Sequence, residues 1–114
     1  MTRSRKKEYA EFPDVTAFME RQPENVRREY ELIVEKLEAD GRLSMPEGEK
    51  IAEEGLFVIR VIRAGNIRVF YVYGQGDFVY GIHAYVKKTR KIPERELTYA
   101  RKLAKTLKNK EEKS

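Results

Sequence analysis

The apolar positions of this chain change period part-way along it. Val15, Phe18 and Met19 share one side of a short segment opened by Pro13-Asp14, with Asp14 suited to the N-cap. Gln22-Pro23 interrupts that segment, and Pro23 and Glu24 suit the first turn of a second helix. Val26, Tyr30, Ile33, Val34 and Leu37 then fall at i, i+4, i+7, i+8 and i+11, which is one apolar stripe of a helix. Asp40-Gly41 ends it, with Gly41 in the C′ role. The pattern predicts two short antiparallel helices, then a loop over 42–55 containing Pro46, Gly48 and Gly55.

From residue 56 the period becomes that of strands. Leu56–Arg63, Ile67–Tyr73 and Phe78–Val86 are rich in β-branched and aromatic residues, and Ala64-Gly65-Asn66 and Gly74–Asp77 separate them as turns. Pro93 opens a last helix with Leu97, Ala100, Ala104 and Leu107 inward and Arg101, Lys102, Lys105 and Lys108 outward. A short extra strand at Glu8–Phe12 also fits. The expected fold class is α+β: two N-terminal helices, a three- to four-stranded antiparallel sheet and a C-terminal helix, the helices covering one face. One domain over 1–114 is expected, with frayed tails at 1–7 and 109–114.

Strand alternation sorts the side chains. One parity holds Phe57, Ile59 and Val61, then Ile67, Val69, Tyr71 and Tyr73, then Phe78, Tyr80, Ile82, Ala84 and Val86. The other carries Arg60, Arg68, His83, Tyr85 and Lys87 among apolar neighbours. In simple register these five converge on one sheet face, although alternation alone does not set the register. An ordinary solvated face explains any one of them. It explains less well three cations, a histidine and a tyrosine with no carboxylate, because carboxylates are abundant elsewhere in the chain.

Composition changes the picture in three places. Charged residues are 38% of the chain beside 40% hydrophobic, so the charge coats a folded domain. The net charge is +5 and the excess is local: Lys87, Lys88, Arg90 and Lys91 fall together with no acid among them, whereas Glu47, Glu49, Glu53 and Glu54 crowd residues 47–54. That distribution favours a polyanion such as RNA or DNA. There is no cysteine and one histidine, so thiolate metal sites and disulfides are excluded and no metal-ligand spacing is present; no cofactor is implied. The polar, basic N-terminus lacks an apolar run, so neither a signal peptide nor a membrane span is expected and the expected location is cytoplasmic.

Three segments carry a resemblance. Gly55-Leu56-Phe57-Val58-Ile59-Arg60, then Ile67-Arg68-Val69-Phe70-Tyr71, then Ile82-His83-Ala84-Tyr85-Val86-Lys87-Lys88-Thr89-Arg90-Lys91-Ile92-Pro93 resemble the phage-derived, HigB-like toxins of the RelE/ParE superfamily. Pro93, Glu94, Glu96 and Ala100 fit the helix that follows in those proteins, and Val15, Phe18, Met19 and Pro23 fit their opening. The likeness spans roughly residues 8–107. Ile59 departs from the acidic residue the family carries there, and Ala84-Tyr85 replaces its Gly-Phe, which adds a proton donor or stacking group.

The resemblance implies a RelE-like fold and the toxin of a type II toxin–antitoxin module. It implies cleavage of mRNA on the ribosome and inhibition by a cognate antitoxin, often a helix-turn-helix protein. By position it implies Arg68 and Arg60 as site arginines and Lys87 and Lys88 as phosphate contacts. Metal-independent attack by the RNA 2′-OH needs a base, an acid and cations for the phosphorane. Arg60 and Arg68 suit the cationic role. His83, Tyr85 and Lys87 are the proton-transfer candidates, and Arg63, Lys88, Arg90 and Lys91 the backbone-phosphate contacts. Two other classes stay open: a ParE-like poison of DNA gyrase without nuclease chemistry, and an inactive member that binds only antitoxin or RNA.

Overall fold

The computed structural model describes residues 5–52 and 55–113. The outer ends of the two expected tails, and Glu53 and Glu54 of the acidic run, lie outside the described residues. The elements are β1 (Glu8–Glu11), α1 (Pro13–Glu20), α2 (Glu24–Asp40), β2 (Gly48–Ala52), β3 (Leu56–Val61), β4 (Ile67–Tyr73), β5 (Phe78–Val86) and α3 (Glu94–Glu112). Pro13 occupies the first position of α1 and Phe12 its cap, so Asp14 sits in the first turn and is not the N-cap. Gly41 closes α2 in the left-handed conformation, φ 80°, and donates its N–H to Leu37 O at 2.8 Å.

The sheet has five strands in the order β1-β5-β4-β3-β2. It is mixed, because β1 runs parallel to β5 while the other pairs are antiparallel. The expected three- to four-stranded antiparallel sheet is therefore short by an edge strand and wrong about one pairing. Gly48–Ala52 reads as loop because Gly-Glu-Lys-Ile-Ala shows no strand alternation. It is a strand because the free edge of β3 supplies its hydrogen bonds, Gly48 facing Ile59 and Lys50 facing Phe57. Its Glu and Lys suit an edge.

Helices cover both faces, not one. Under α1 and α2 lie Ile59 and Val61 of β3, Ile67, Val69 and Tyr71 of β4 and Val79 of β5, packed with Val15, Met19, Val26, Tyr30, Ile33 and Leu37. The opposite face packs Leu56, Val58, Phe70, Val72, Ile82 and Tyr85 against α3 through Ala100, Leu97, Leu103, Ala104 and Leu107. The central strand β4 is buried on both sides from Ile67 to Val72, as a doubly covered strand must be. The α3 helix runs to Glu112, past the expected frayed end at 109. There Gln75 donates from its backbone N–H and its side chain to Glu111. At the other tail, the N–H groups of Lys6 and Lys7 donate to Glu38 O. No helix among the described residues is long and apolar enough to cross a membrane.

One bulge decides which residues meet. Phe70 faces His83 while Tyr71 faces Gly81, so Ile82 is an extra residue in β5. Strict alternation would put Ile82 on the face away from His83. The bulge puts both on the α3 face: Ile82 packs in its core and His83 stacks on Phe70. Gly81 is buried at this point, and a Cβ on it would overlap the Tyr9 phenol. That phenol cannot easily retreat, because Tyr9 and Tyr30 hydroxyls are hydrogen-bonded at 2.6 Å and Tyr30 donates to Glu11 at 2.6 Å. We expect Gly81→Ala to lower the urea-unfolding free energy by about 1–3 kcal/mol, the usual cost of forcing volume into a packed interior. An unchanged midpoint would show that the Tyr9 contact gives way freely.

Candidate functional site

At one end of the sheet three side chains stand in a row across three strands. Arg60 of β3 is paired with Arg68 of β4, and Arg68 with Tyr85 of β5. One step along, Phe70 of β4 is paired with His83. The sequence-predicted residues Arg60, Arg68, His83 and Tyr85 are thus brought together on the α3 face. Two like charges directly opposite in a ladder repel each other. Their position has to be held from outside the pair.

Arg60 is held by the loop before β2: its Nη1 donates to Pro46 O at 2.9 Å, and its Nε lies 3.9 Å from Glu49 Oε1. Arg68 is 6% exposed, and its Nη1 donates to Asn66 Oδ1 and to Ile67 O, both at 3.2 Å. Burial, and after it the Arg60 cation, pull its pKa below the ordinary arginine value, and Tyr85 and Glu49 act against that. The turn before Arg68 is fixed from α2, where the Glu29 carboxylate accepts from the N–H groups of Ile62, Arg63 and Ala64 at 3.1, 3.1 and 2.7 Å. Asn66 is tied in turn to the backbone of Lys87, donating its side-chain amide to Lys87 O and accepting the Lys87 N–H at 2.8 Å.

Tyr85 is buried, and among the described residues its hydroxyl has no hydrogen-bond partner. The other buried side-chain polar atom in that condition is Arg60 Nε. Both belong to the same row, on either side of Arg68. Burial pushes the Tyr85 phenol up to about 12; Arg68 pulls it down, and Glu96 and Glu49 push it further up. At neutral pH Tyr85 is therefore a proton donor. His83 is hydrogen-bonded through Nε2 to Glu96 Oε1 of α3 at 2.7 Å. Its ring lies nearly parallel to Phe70 and Tyr85, with centroids 6.1 and 6.2 Å away, and edge-on to Tyr99 at 4.8 Å.

The expectation of a face without carboxylates is corrected by two of them. Glu49 reaches the row from β2 and Glu96 from α3. Neither lies on β3, β4 or β5, the strands whose alternation defined the face. Glu96 was visible in sequence only as part of the last helix, Glu49 only as part of an acidic run, and Asn66 only as a turn residue. Among the expected phosphate contacts, Lys88, Arg90 and Lys91 are exposed in the loop that leaves β5 two residues beyond Tyr85, and Lys87 begins that loop half-buried. Arg63 is placed elsewhere: it lines a depression with Glu29, Leu32, Lys36 and Glu47 against α2. A cavity of about 380 Å³ along Val72, Gly74, Leu107 and Glu111 contains no member of the row. Among the described residues no group of three or more His, Cys, Asp or Glu is arranged to hold a metal ion.

Residues 17–105 match the profile of the phage derived protein Gp49-like family. The chain belongs to that family, which lies within the RelE/ParE-like toxin superfamily. A search of curated proteins gives no match.

A buried hydroxyl without a partner costs stability, about 1–3 kcal/mol by mutational series. Tyr85→Phe is therefore expected to leave the unfolding free energy at neutral pH unchanged or raised, while it removes a donor from the site. Because the folded phenol ionises at higher pH than an unfolded tyrosine, near 10, the tyrosine's contribution is constant below pH 10. It is lost as pH rises from there through about 12, where wild type should weaken relative to Tyr85→Phe. Paired urea titrations at pH 7 and pH 11 check both signs.

Proposed function

We propose that the row is a scissile-phosphate site and that the protein is a HigB-like toxin of a type II toxin–antitoxin module, an endoribonuclease that cuts translated mRNA on the ribosome. Membership of the Gp49-like family is consistent with a toxin of this kind and with a partner antitoxin; we assign that antitoxin to the helix-turn-helix type. The observation that carries the reading is the pair of buried donors without a hydrogen bond, Arg60 Nε, which has the Glu49 carboxylate at 3.9 Å, and Tyr85 OH, flanking the buried Arg68 in one cross-strand row. A tetrahedral or pentavalent phosphate offers oxygens to all three and relieves the repulsion between the two guanidiniums.

The chemistry follows from the residues. The 2′-oxygen attacks phosphorus, the P–O5′ bond breaks, and a 2′,3′-cyclic phosphate and a 5′-hydroxyl end result. Arg60 and Arg68 carry the added negative charge, so the side chains themselves supply the stabilisation. His83, half-buried beside the row, takes the 2′-OH proton, and Tyr85, protonated at neutral pH, supplies one to O5′. Arg60 and His83 keep about a fifth of their side chains open to solvent, and Arg68 and Tyr85 form the floor below them. The Tyr85 hydroxyl is closed to solvent, so this role requires the side chains over it to move aside when RNA binds. Lys87, Lys88, Arg90 and Lys91 leave the sheet at this end and suit the flanking phosphates.

In a purified translation reaction, Arg68→Ala is expected to reduce mRNA cleavage by about 10²–10³ fold, the usual effect of removing one transition-state charge contact. His83→Ala should also reduce it severely, by about 10²–10⁴ fold if it is the general base. Mapped transcript 5′ ends should fall in codon phase. Full cleavage by both variants would falsify the site, and DNA damage without phased cuts would assign the protein instead to the gyrase poisons.

A further inference from the structure

We infer that Glu96 is the positioning residue for His83: it takes the Nε2–H of the imidazole and thereby reserves Nδ1 as the base. The inference rests on the nuclease reading above for its effect on rate; the state of the ring itself does not depend on that reading.

A neutral imidazole has one N–H and one bare nitrogen, and an ionised carboxylate can only accept. A carboxylate 2.7 Å from Nε2 therefore selects the tautomer with hydrogen on Nε2. Glu96 is built to be that carboxylate. It lies in the first turn of α3, where the helix end favours negative charge, and its side chain is 18% exposed, as is that of His83. Arg95 Nε, 3.6 Å from its other oxygen, adds to the preference. Tyr99, one turn further along α3, sets its ring edge-on to the imidazole, while Phe70 stands beside it on β4. The ring is thus restrained by α3 and by the sheet at once.

The other titratable or charged groups at this end are Tyr85 on β5, Arg68 on β4, Arg60 on β3 and Glu49 on β2, with Lys87, Lys88, Arg90 and Lys91 in the loop that leaves β5. Among these groups and Glu96, it is Glu96 that is hydrogen-bonded to His83. In the step, Nδ1 accepts the 2′-OH proton as O2′–P forms. P–O5′ breaks with its electron pair on O5′, which takes the Tyr85 proton. The imidazolium then present is stabilised by Glu96 through the hydrogen bond already made. Proton exchange with water restores His83 and Tyr85.

His83 is the sole histidine, so its ring nitrogens give a single set of signals in a two-dimensional ¹H–¹⁵N spectrum of the whole protein. We expect wild type at a pH where the ring is neutral to show the Nε2–H tautomer, and Glu96→Gln, whose amide can also donate, to show a mixture. In the translation assay Glu96→Gln should lower kcat about tenfold or more with little change in KM. Because Glu96 acts through the ring, adding Glu96→Gln to His83→Gln should cost nothing further. A wild-type ring protonated on Nδ1, or a Glu96→Gln variant with full kcat, overturns the inference even if His83 proves essential. An additive double variant does so too, since it gives Glu96 a separate role. Absence of cleavage by wild type overturns the nuclease reading, while the tautomer measurement still decides the pairing. Equal urea midpoints for wild type and Glu96→Gln separate positioning from a general loss of α3 docking.

Discussion

A guanidinium cannot shed its proton to escape burial, and Arg68 is buried in the central strand, which is covered on both faces. The cost of taking that charge out of water has to be met by neighbours. Two oxygens close to it do part of this, Asn66 Oδ1 and Ile67 O, both on one terminal nitrogen. Glu49 contributes from two strands away, and Arg60, directly opposite, adds to the cost. The rest of this end of the molecule is arranged around that requirement: Glu29 pins the turn that carries Asn66, Asn66 holds the exit of β5, and loop 45–47 holds Arg60. A row so built is left in deficit of negative charge. On the proposed reading an incoming phosphate supplies it, so that affinity for the ligand and the unfavourable part of folding would have the same origin.

The two faces of the sheet are coupled through β5. Gly81 lets the Tyr9 phenol press against the backbone on the α2 side, and the bulge at Ile82 then returns His83 and Tyr85 to the α3 side. Packing beneath one pair of helices therefore sets the register of the groups that lie beneath the third. The α3 helix has a double part. Ala100 and its neighbours close the second core, and Glu96 and Tyr99 at its start reach the imidazole.

Within the row, environment separates the states of side chains that residue type leaves open. Burial away from any partner keeps Tyr85 protonated far above neutrality, while a carboxylate at hydrogen-bond distance fixes which nitrogen of His83 is engaged. Lys87 is drawn into the backbone closure with Asn66 at the foot of the basic loop.

Much of this was legible in the order of residues. Helical spacing of Val26, Tyr30, Ile33 and Leu37 and the β-rich runs from Leu56 to Val86 are local properties, and local sterics and burial decide them. Alternation sufficed to place Arg60 and Arg68 on one side, because β3 and β4 pair without a shift. Other features were not local. Gly48–Ala52 becomes a strand through the edge it joins, and Ile82 bulges where Gly81 meets Tyr9, 72 residues away in the chain. The carboxylates at the site come from elements whose docking no periodicity specifies. By itself the sequence determined the elements other than β2 and the basic character of one strand face. Only the tertiary structure decided that α3 covers that face, which buried donors are left without a hydrogen bond and which carboxylate meets the imidazole, since those depend on contacts between segments far apart in the chain.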